Sequence, residues 1–92
     1  MITRIVKLEL KPEHLEAFDT LFEHNKEHIL SQKGCLALQL LKDINRPNLR
    51  FTSSRWEQES DLNAYRSSDL FASIWPNVKP WFAAKAEAWS LH

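Results

Sequence analysis

The first residues of the chain alternate between two faces, and one face is apolar apart from a single arginine. In ITRIVKLEL, residues 2–10, Val6 and Leu8 share that face with Arg4. A period of two with β-branched side chains is typical of a strand. The pattern therefore predicts a first strand over residues 2–10, with Arg4 as a charge on its apolar face.

A repeat of three and four residues follows and predicts a helix that begins at Pro12 and ends near residue 32. Proline suits the first turn of a helix, where its missing N–H would have no partner within the helix. Gly34 is a stop signal, because glycine is the residue most often found just beyond a helix end. The apolar positions of this helix are Leu15, Phe18, Leu21, Phe22 and Ile29.

Two apolar stretches joined by turn-forming residues predict a hairpin. Residues 35–44, CLALQLLKDI, are apolar on both faces except at Gln39, so we expect water to reach neither side of the middle of this strand. Residues 45–48, NRPN, supply the turn, and residues 49–57 supply the third strand.

The last third of the chain predicts two helical pieces and a final strand. A short helix contains Leu62 and Tyr65, and residues 67–69, SSD, offer a cap for the second piece. Residues 86–91, AEAWSL, alternate again and predict the fourth strand. The second helical piece has apolar residues at helical spacing: Leu70, Phe71, Ile74, Trp75, Val78, Trp81 and Phe82.

The predicted order of elements is β-α-β-β-α-β, which is the ferredoxin-like α+β fold. It gives a four-stranded antiparallel sheet with helices on one face, in a single domain of residues 1–92. The other face needs a cover, because the strand at residues 35–44 is apolar on both sides. We therefore expect a homodimer in which two sheets face each other.

Composition narrows the classes of function. Twelve basic and twelve acidic residues balance, so the chain lacks the basic surface that a phosphate backbone requires, and nucleic acid is not an expected partner. A single glycine argues against glycine-rich nucleotide loops, and a lone cysteine, Cys35, excludes an intramolecular disulfide. Without a signal peptide or an apolar run of about 20 residues, we expect a cytoplasmic protein that does not contact membranes.

Three of the four tryptophans lie in WPNVKPWFAAKAEAW, residues 75–89, together with two prolines. Proline inside a helix removes one hydrogen bond and presses on the preceding turn, a disturbance of about 3 kcal/mol. The helix is therefore expected to break or kink near Trp75 and to leave a gap against the sheet, lined by aromatic rings. The alternative is that these rings fill the core or a dimer contact.

Two polar side chains interrupt the apolar stripe of the first helix. Asn25 falls in its middle, where a buried amide either caps a backbone group or binds a ligand, and His28 lies nearer its edge. HNKEH, residues 24–28, matches a zinc protease pattern, but three fixed positions are a weak signal and we reject a metal site there. For Arg4, an ion pair with an acid across the dimer is favoured over contact with an anionic ligand.

Two sequence segments and the order of the elements resemble a known family. The segments are RFTSSRWEQESDLNAYRSSDLF, residues 50–71, and the C-terminal WPNVKPWFAAKAEAWSL. On the basis of these segments and the element order, essentially the whole chain resembles the antibiotic biosynthesis monooxygenase (ABM) family. The resemblance implies a dimeric α+β barrel in which each subunit keeps a pocket between its helices and its own sheet.

The resemblance also implies an activity. The family includes oxygenases without metal, flavin or haem, in which a phenol-, hydroquinone- or anthrone-like substrate loses a proton and its anion reduces dioxygen. Such a site needs an apolar cavity, donors for the developing oxyanion and exclusion of water. Asn25, His28 and Tyr65 would be the catalytic groups, with His28 as the proton acceptor. The walls would be Trp56, Phe71, Trp75 and Trp81.

Other members of the superfamily leave alternatives open. One branch degrades haem with an asparagine, a tryptophan and a ligand histidine, but Val6, Tyr65 and Trp75 stand at those positions here, so haem degradation is not favoured. The superfamily also contains isomerases, enzymes that process signal molecules and proteins without known catalysis. A non-catalytic module that binds a small aromatic ligand is therefore the alternative to an oxygenase.

Overall fold

A computed structural model describes all 92 residues and contains one four-stranded sheet and three α-helices. The strands are β1 (Ile2–Glu9), β2 (Cys35–Lys42), β3 (Leu49–Trp56) and β4 (Glu87–Leu91). The α-helices are α1 (Leu15–Leu30), α2 (Glu59–Arg66) and α3 (Asp69–Val78), with short 3-10 turns at Pro12–His14 and Lys79–Trp81. The predicted ferredoxin-like fold is confirmed, and its second helical region consists of two helices.

The strands are antiparallel throughout and lie in the order β2-β3-β1-β4. Arg4 pairs with Ser54 of β3 on one side and with Ser90 of β4 on the other. Because side chains of directly paired residues lie on the same face, this register sets Arg4 between two hydroxyl groups. We call the face that carries Arg4, Val6 and Leu8, and that the helices cover, the inner face; the opposite face is the outer face.

Helix α1 packs its apolar stripe onto the inner face and divides the core into two clusters. One cluster contains Leu8, Leu10, Phe18 and Val78, and the other contains Phe22, Ile29 and Leu38. Gly34 ends the helical region in the left-handed conformation, with φ 82°, where a Cβ atom would collide with the side chain of Asp61. Glycine at this position thus lets α2 lie close to the end of α1.

Helix α3 does not break at Trp75, so that half of the prediction is wrong, and a kink near this residue stays a prediction. The helix runs through Pro76 to Val78 and passes directly into the second 3-10 turn. Pro76 removes the hydrogen bond that the carbonyl of Ala72 would accept. Both residues are exposed, and water can bind the free carbonyl, which makes proline tolerable on this side of the helix.

The outer face has no cover within the chain. Leu41, Trp89 and Leu91 are 46%, 44% and 50% exposed, whereas Leu38 on the inner face of β2 is only 8% exposed. The expectation that water reaches neither side of β2 therefore does not hold for the single chain.

None of the helices combines the length and the apolar character that crossing a bilayer requires.

Candidate functional site

A cavity of about 380 Å³ lies between the inner face of the sheet and the helices. This volume is near the lower end of the roughly 300–1,000 Å³ that small-molecule pockets occupy. Val6, Thr52 and Ser54 contribute to the sheet side, and Phe22 and Asn25 contribute from α1. Most of the lining is hydrophobic, so the cavity suits a small, mainly apolar molecule.

Aromatic rings form a continuous chain along one wall. Trp56 stacks on Tyr65 with ring centroids 5.3 Å apart, and Tyr65 meets Phe71 edge to face at 5.4 Å. Phe71 then stacks on Trp75 at 5.8 Å. Aromatic ring pairs of this kind contribute more to stability than the burial of their surface alone. The wall is therefore held in place before any ligand enters.

Local hydrogen bonds hold this wall in position. The indole N–H of Trp56, whose residue is 1% exposed, donates to Ser54 Oγ at 3.0 Å. Ser68 accepts the backbone N–H of Phe71 at 3.2 Å and donates to the carbonyl of Tyr65 at 2.5 Å. Ser68 thus caps α3 and links it to α2, as the polar run between the helices predicts.

Asn25 and Tyr65 offer complementary polar groups to the cavity. Asn25 Nδ2 donates to the carbonyl of Leu21 at 2.9 Å, which leaves its Oδ1 as an acceptor for a ligand. Burial, with a smaller contribution from the nearby Cys35, raises the pKa of Tyr65 to about 12. The phenol of Tyr65 consequently stays protonated at neutral pH and acts as a hydrogen-bond donor rather than as a base.

Only two charged side chains line the cavity, and both are arginines: Arg4 and Arg66. Arg4 Nη1 donates to Ser90 Oγ at 2.9 Å, and neither arginine forms an ion pair with a carboxylate. Burial, and then the charge of Arg66, lower the pKa of Arg4. The cavity lining contains no Asp, Glu, His or Lys.

The structure brings together five of the seven side chains that the sequence proposed for the site. Asn25, Tyr65, Trp56, Phe71 and Trp75 all line the cavity. These five side chains share one cavity, and the roles assigned to them stay predictions.

His28 and Trp81 lie elsewhere. His28 is exposed on α1 and does not line the cavity, because it sits one residue before the buried Ile29 and so points about 100° away from it. Trp81 belongs to the 3-10 turn after α3 and stacks on His14 at 5.7 Å. The α-helix ends at Val78, so the helical stripe that the prediction extended from Trp75 to Trp81 does not continue to Trp81.

The HNKEH segment does not build a metal-binding cluster. His24 and His28 are both exposed on α1, and no three His, Cys, Asp or Glu side chains in the chain come together in a way that could hold a metal ion.

Thr52, Ser54 and Arg66 are cavity residues that the sequence analysis did not single out. Thr52 pairs with Val6, and Ser54 pairs with Arg4, across the β1–β3 register. A correct prediction of that register would have found both. Arg66 directly follows Tyr65 at the end of α2, and only the packing of α2 over the sheet reveals its position.

Comparisons with known proteins agree with this architecture. A family model described as antibiotic biosynthesis monooxygenase (ABM) matches residues 1–75. A search of curated proteins finds no match to the sequence.

Solved structures show the same fold at low sequence identity. A conserved protein from Methanosarcina mazei Go1 has a TM-score of 0.93 at 24% identity, over 100% of this chain and 92% of that one. A structure named "Putative antibiotic biosynthesis monooxygenase from Nitrosomonas europaea" has a TM-score of 0.92 at 18% identity, over 100% and 97%. Rv0793 from Mycobacterium tuberculosis gives 0.90 at 14% identity, over 99% and 92%.

Proposed function

Because the chain belongs to the antibiotic biosynthesis monooxygenase family, we propose that it oxidises a small phenol-, hydroquinone- or anthrone-like compound with dioxygen in the cavity. The observation that supports this most is the wall of Trp56, Tyr65, Phe71 and Trp75, which gives the cavity a continuous series of aromatic rings against which an aromatic substrate can pack. No cofactor enters the proposed reaction, since the ionised substrate itself reduces dioxygen.

For a simple phenol the reaction would yield a quinone and water. The phenol O–H ionises, and the electron-rich ring carbon opposite it reduces dioxygen and forms a C–O bond, which gives a hydroperoxide after proton uptake. Loss of the proton from that carbon breaks the O–O bond, leaves a carbonyl on the ring and releases hydroxide, which becomes water. One oxygen atom thus enters the product, the other becomes water, and the ring loses four electrons.

The chain's own groups have definite tasks in this scheme. The protonated Tyr65 hydroxyl donates to the oxygen that gains negative charge, and Asn25 Oδ1 accepts from a substrate hydroxyl. The apolar walls hold the ring and exclude water. His28 has no part in this scheme, because it lies outside the cavity.

Oxygen uptake tests the proposed activity. With a panel of hydroquinones, naphthols and anthrones, we expect at least one compound to consume dioxygen, and Tyr65→Phe to lower kcat about a hundredfold by removing one donor. Asn25→Ala should also slow uptake, whereas His24→Ala on the exposed side of the same helix is the matched control. Uptake that is equal in all variants, or absent with every compound, would contradict the proposal.

A non-catalytic ligand-binding module is the second candidate. It is favoured by one observation: the cavity lining holds no carboxylate, imidazole or amine that would accept the substrate proton at neutral pH. This candidate predicts saturable quenching of the fluorescence of Trp56 and Trp75 by aromatic ligands, with no turnover. Oxygen uptake by any ligand that quenches would decide against it.

We also infer that a second copy of the chain covers the outer face. The outer face exposes Leu41 on one edge strand and Trp89 and Leu91 on the other, and a twofold pairing of two such faces would bury these apolar side chains. Sedimentation equilibrium at micromolar concentration should report a dimer. A folded monomer under those conditions would contradict this inference.

A further inference from the structure

Two arginines without a carboxylate partner face the cavity from opposite sides. Arg4 lies on the inner face of β1, and Arg66 is the last residue of α2. Arg66 is close enough for its charge to act on Arg4. Two like charges repel each other, and the repulsion is stronger where burial limits screening by water.

Two of the other three arginines in this chain, Arg46 and Arg50, are paired with carboxylates. Arg50 Nε lies 2.9 Å from Asp19 Oδ1, and Arg46 Nη2 lies 2.7 Å from Glu9 Oε1. Arg4 instead has the hydroxyls of Ser54 and Ser90 as its cross-strand neighbours, and only Ser90 accepts a hydrogen bond from it. A partly buried guanidinium therefore keeps several N–H donors free beside an empty apolar space.

An acid across a dimer does not explain Arg4. Arg4 is on the inner face, whereas the exposed apolar side chains that a second sheet would cover lie on the outer face. A carboxylate on the opposing sheet would thus be on the wrong side of β1.

We propose that the cavity binds its aromatic ligand as an anion, with the negatively charged oxygen between Arg4 and Arg66 and the ring against the aromatic wall. The guanidinium groups would supply charge-assisted hydrogen bonds, and the anion would remove their mutual repulsion. This inference rests on the proposed function only in placing a small aromatic ligand in the cavity; it adds the charge of that ligand.

The anionic oxygen has two possible sources. It is either a carboxylate substituent of the ligand or the reacting phenol oxygen itself, ionised on binding. In the second case the two cations would lower the pKa of the bound phenol. They would then produce the electron-rich anion that dioxygen requires, in a cavity that offers no general base.

Calorimetric titration with three matched probes tests the charge. At neutral pH, 2-naphthoate is anionic, whereas 2-naphthamide and 2-naphthol are neutral and have the same two rings. We expect Arg4→Gln to weaken naphthoate binding about tenfold or more, as the loss of a charged hydrogen bond does, and to leave naphthamide within about twofold. Arg66→Gln should have a smaller effect, because Arg66 is exposed and screened.

Arg55→Gln is the matched control, since Arg55 is exposed on the outer face and does not line the cavity. It should leave the affinities of all three probes unchanged. If Arg4→Gln does not fold, the wild-type protein alone still tests the charge of the ligand: its naphthoate affinity should fall with added salt while its naphthamide affinity does not.

The absorption spectrum of bound 2-naphthol distinguishes the two sources. A naphtholate band at a pH where free naphthol is neutral, lost in Arg4→Gln, identifies the phenol oxygen as the anion. Tight naphthoate binding without that band identifies a carboxylate.

Three results separate the two proposals. Naphthoate binding no tighter than naphthamide binding, with naphthol bound neutral, would overturn the inference about charge while leaving oxidation of a neutral phenol possible. Arginine-dependent binding with no oxygen uptake would overturn only the proposed oxidation. Failure of all three probes to bind would overturn both.

Discussion

The inner face of the sheet has two ends, which the chain fills in opposite ways. At one end lies a buried cluster of Leu8, Leu10, Phe18 and Val78, in which Leu10 is fully enclosed and the other three side chains also border the cavity. The cavity extends from this cluster towards Arg4, which lines it at the other end. The same strands, β1 and β3, supply both ends, so the difference arises from the side chains and from the helices above them.

The two ends also treat a buried cation differently. Arg50 at the packed end is 6% exposed and meets Asp19 through two hydrogen bonds, at 2.9 Å and 3.1 Å. Arg4 at the open end has no carboxylate. A buried cation whose carboxylate partner belongs to the chain makes the loss of that partner costly, whereas a cation that faces an empty space is available to a ligand.

The largest expected difference between the two ends is in the free energy of unfolding. Leu10 is fully buried at 0% exposure and does not line the cavity, so Leu10→Ala should destabilise the protein by about 4 kcal/mol through the void that it leaves. Phe71→Ala removes a half-buried ring that already faces open space and should cost about 1 kcal/mol. Urea denaturation measures both values.

The two substitutions should affect ligand binding in the opposite order, with the larger effect from Phe71→Ala. Phe71→Ala removes part of the aromatic wall and should weaken binding of 2-naphthamide, whereas folded Leu10→Ala protein should bind it as the wild type does. Equal losses of stability in the two variants would mean that the open end is packed as tightly as the other.

The sequence predicted which side chains are buried better than it predicted which residues line the cavity. Strands and helices follow from the spacing of neighbouring residues, and the apolar stripe of α1 correctly predicted that Phe18, Phe22 and Ile29 are buried. The cavity depends on relations between distant segments. Ser54 enters it through the β1–β3 register and Arg66 through the placement of α2, and neither relation has a local signal.

The helical spacing of apolar residues was also misleading where the backbone changes from an α-helix to a 3-10 helix. Extending one helical stripe from Trp75 to Trp81 assumes an unbroken α-helix, but the chain turns into a 3-10 helix after Val78. The break expected near Pro76 does not occur, since a proline on the solvent side near the end of a helix does not stop it.

The paired and unpaired arginines should differ in what their loss does to stability. Asp19→Ala leaves Arg50 buried without a carboxylate, although its hydrogen bonds to the carbonyls of Pro47 and Leu49 remain, and should destabilise the protein by about 3 kcal/mol. Arg4→Gln breaks no ion pair, loses one hydrogen bond to Ser90 and relieves repulsion from Arg66, so its effect should stay within about 1 kcal/mol. If chemical denaturation gave the two variants equal losses, Arg4 would have a structural partner that the single chain does not contain.

The smallest expected difference is in the dependence of stability on pH. Hydrogen bonds from Arg50 lower the pKa of Asp19 against the opposing effect of burial, and the charges of Arg50 and Lys42 lower it further. A carboxyl whose pKa is lowered on folding stabilises the protein above its unfolded pKa of about 3.9, and this stability is lost as the pH falls through the folded pKa. The stability advantage of the wild type over Asp19→Asn should therefore be full at neutral pH and shrink below about pH 4.

The pH dependence of stability should also differ between variants at the two ends of the sheet. Asp43, whose pKa backbone hydrogen bonds also lower, is present in every variant and cancels in the differences. Since no carboxylate contacts Arg4 in the chain, the difference between the wild type and Arg4→Gln should not change over this acid range. Urea unfolding at a series of pH values measures both differences, and an Arg4→Gln difference that shrinks in acid would reveal a carboxylate bound to Arg4, contradicting the contrast between the packed and the open end.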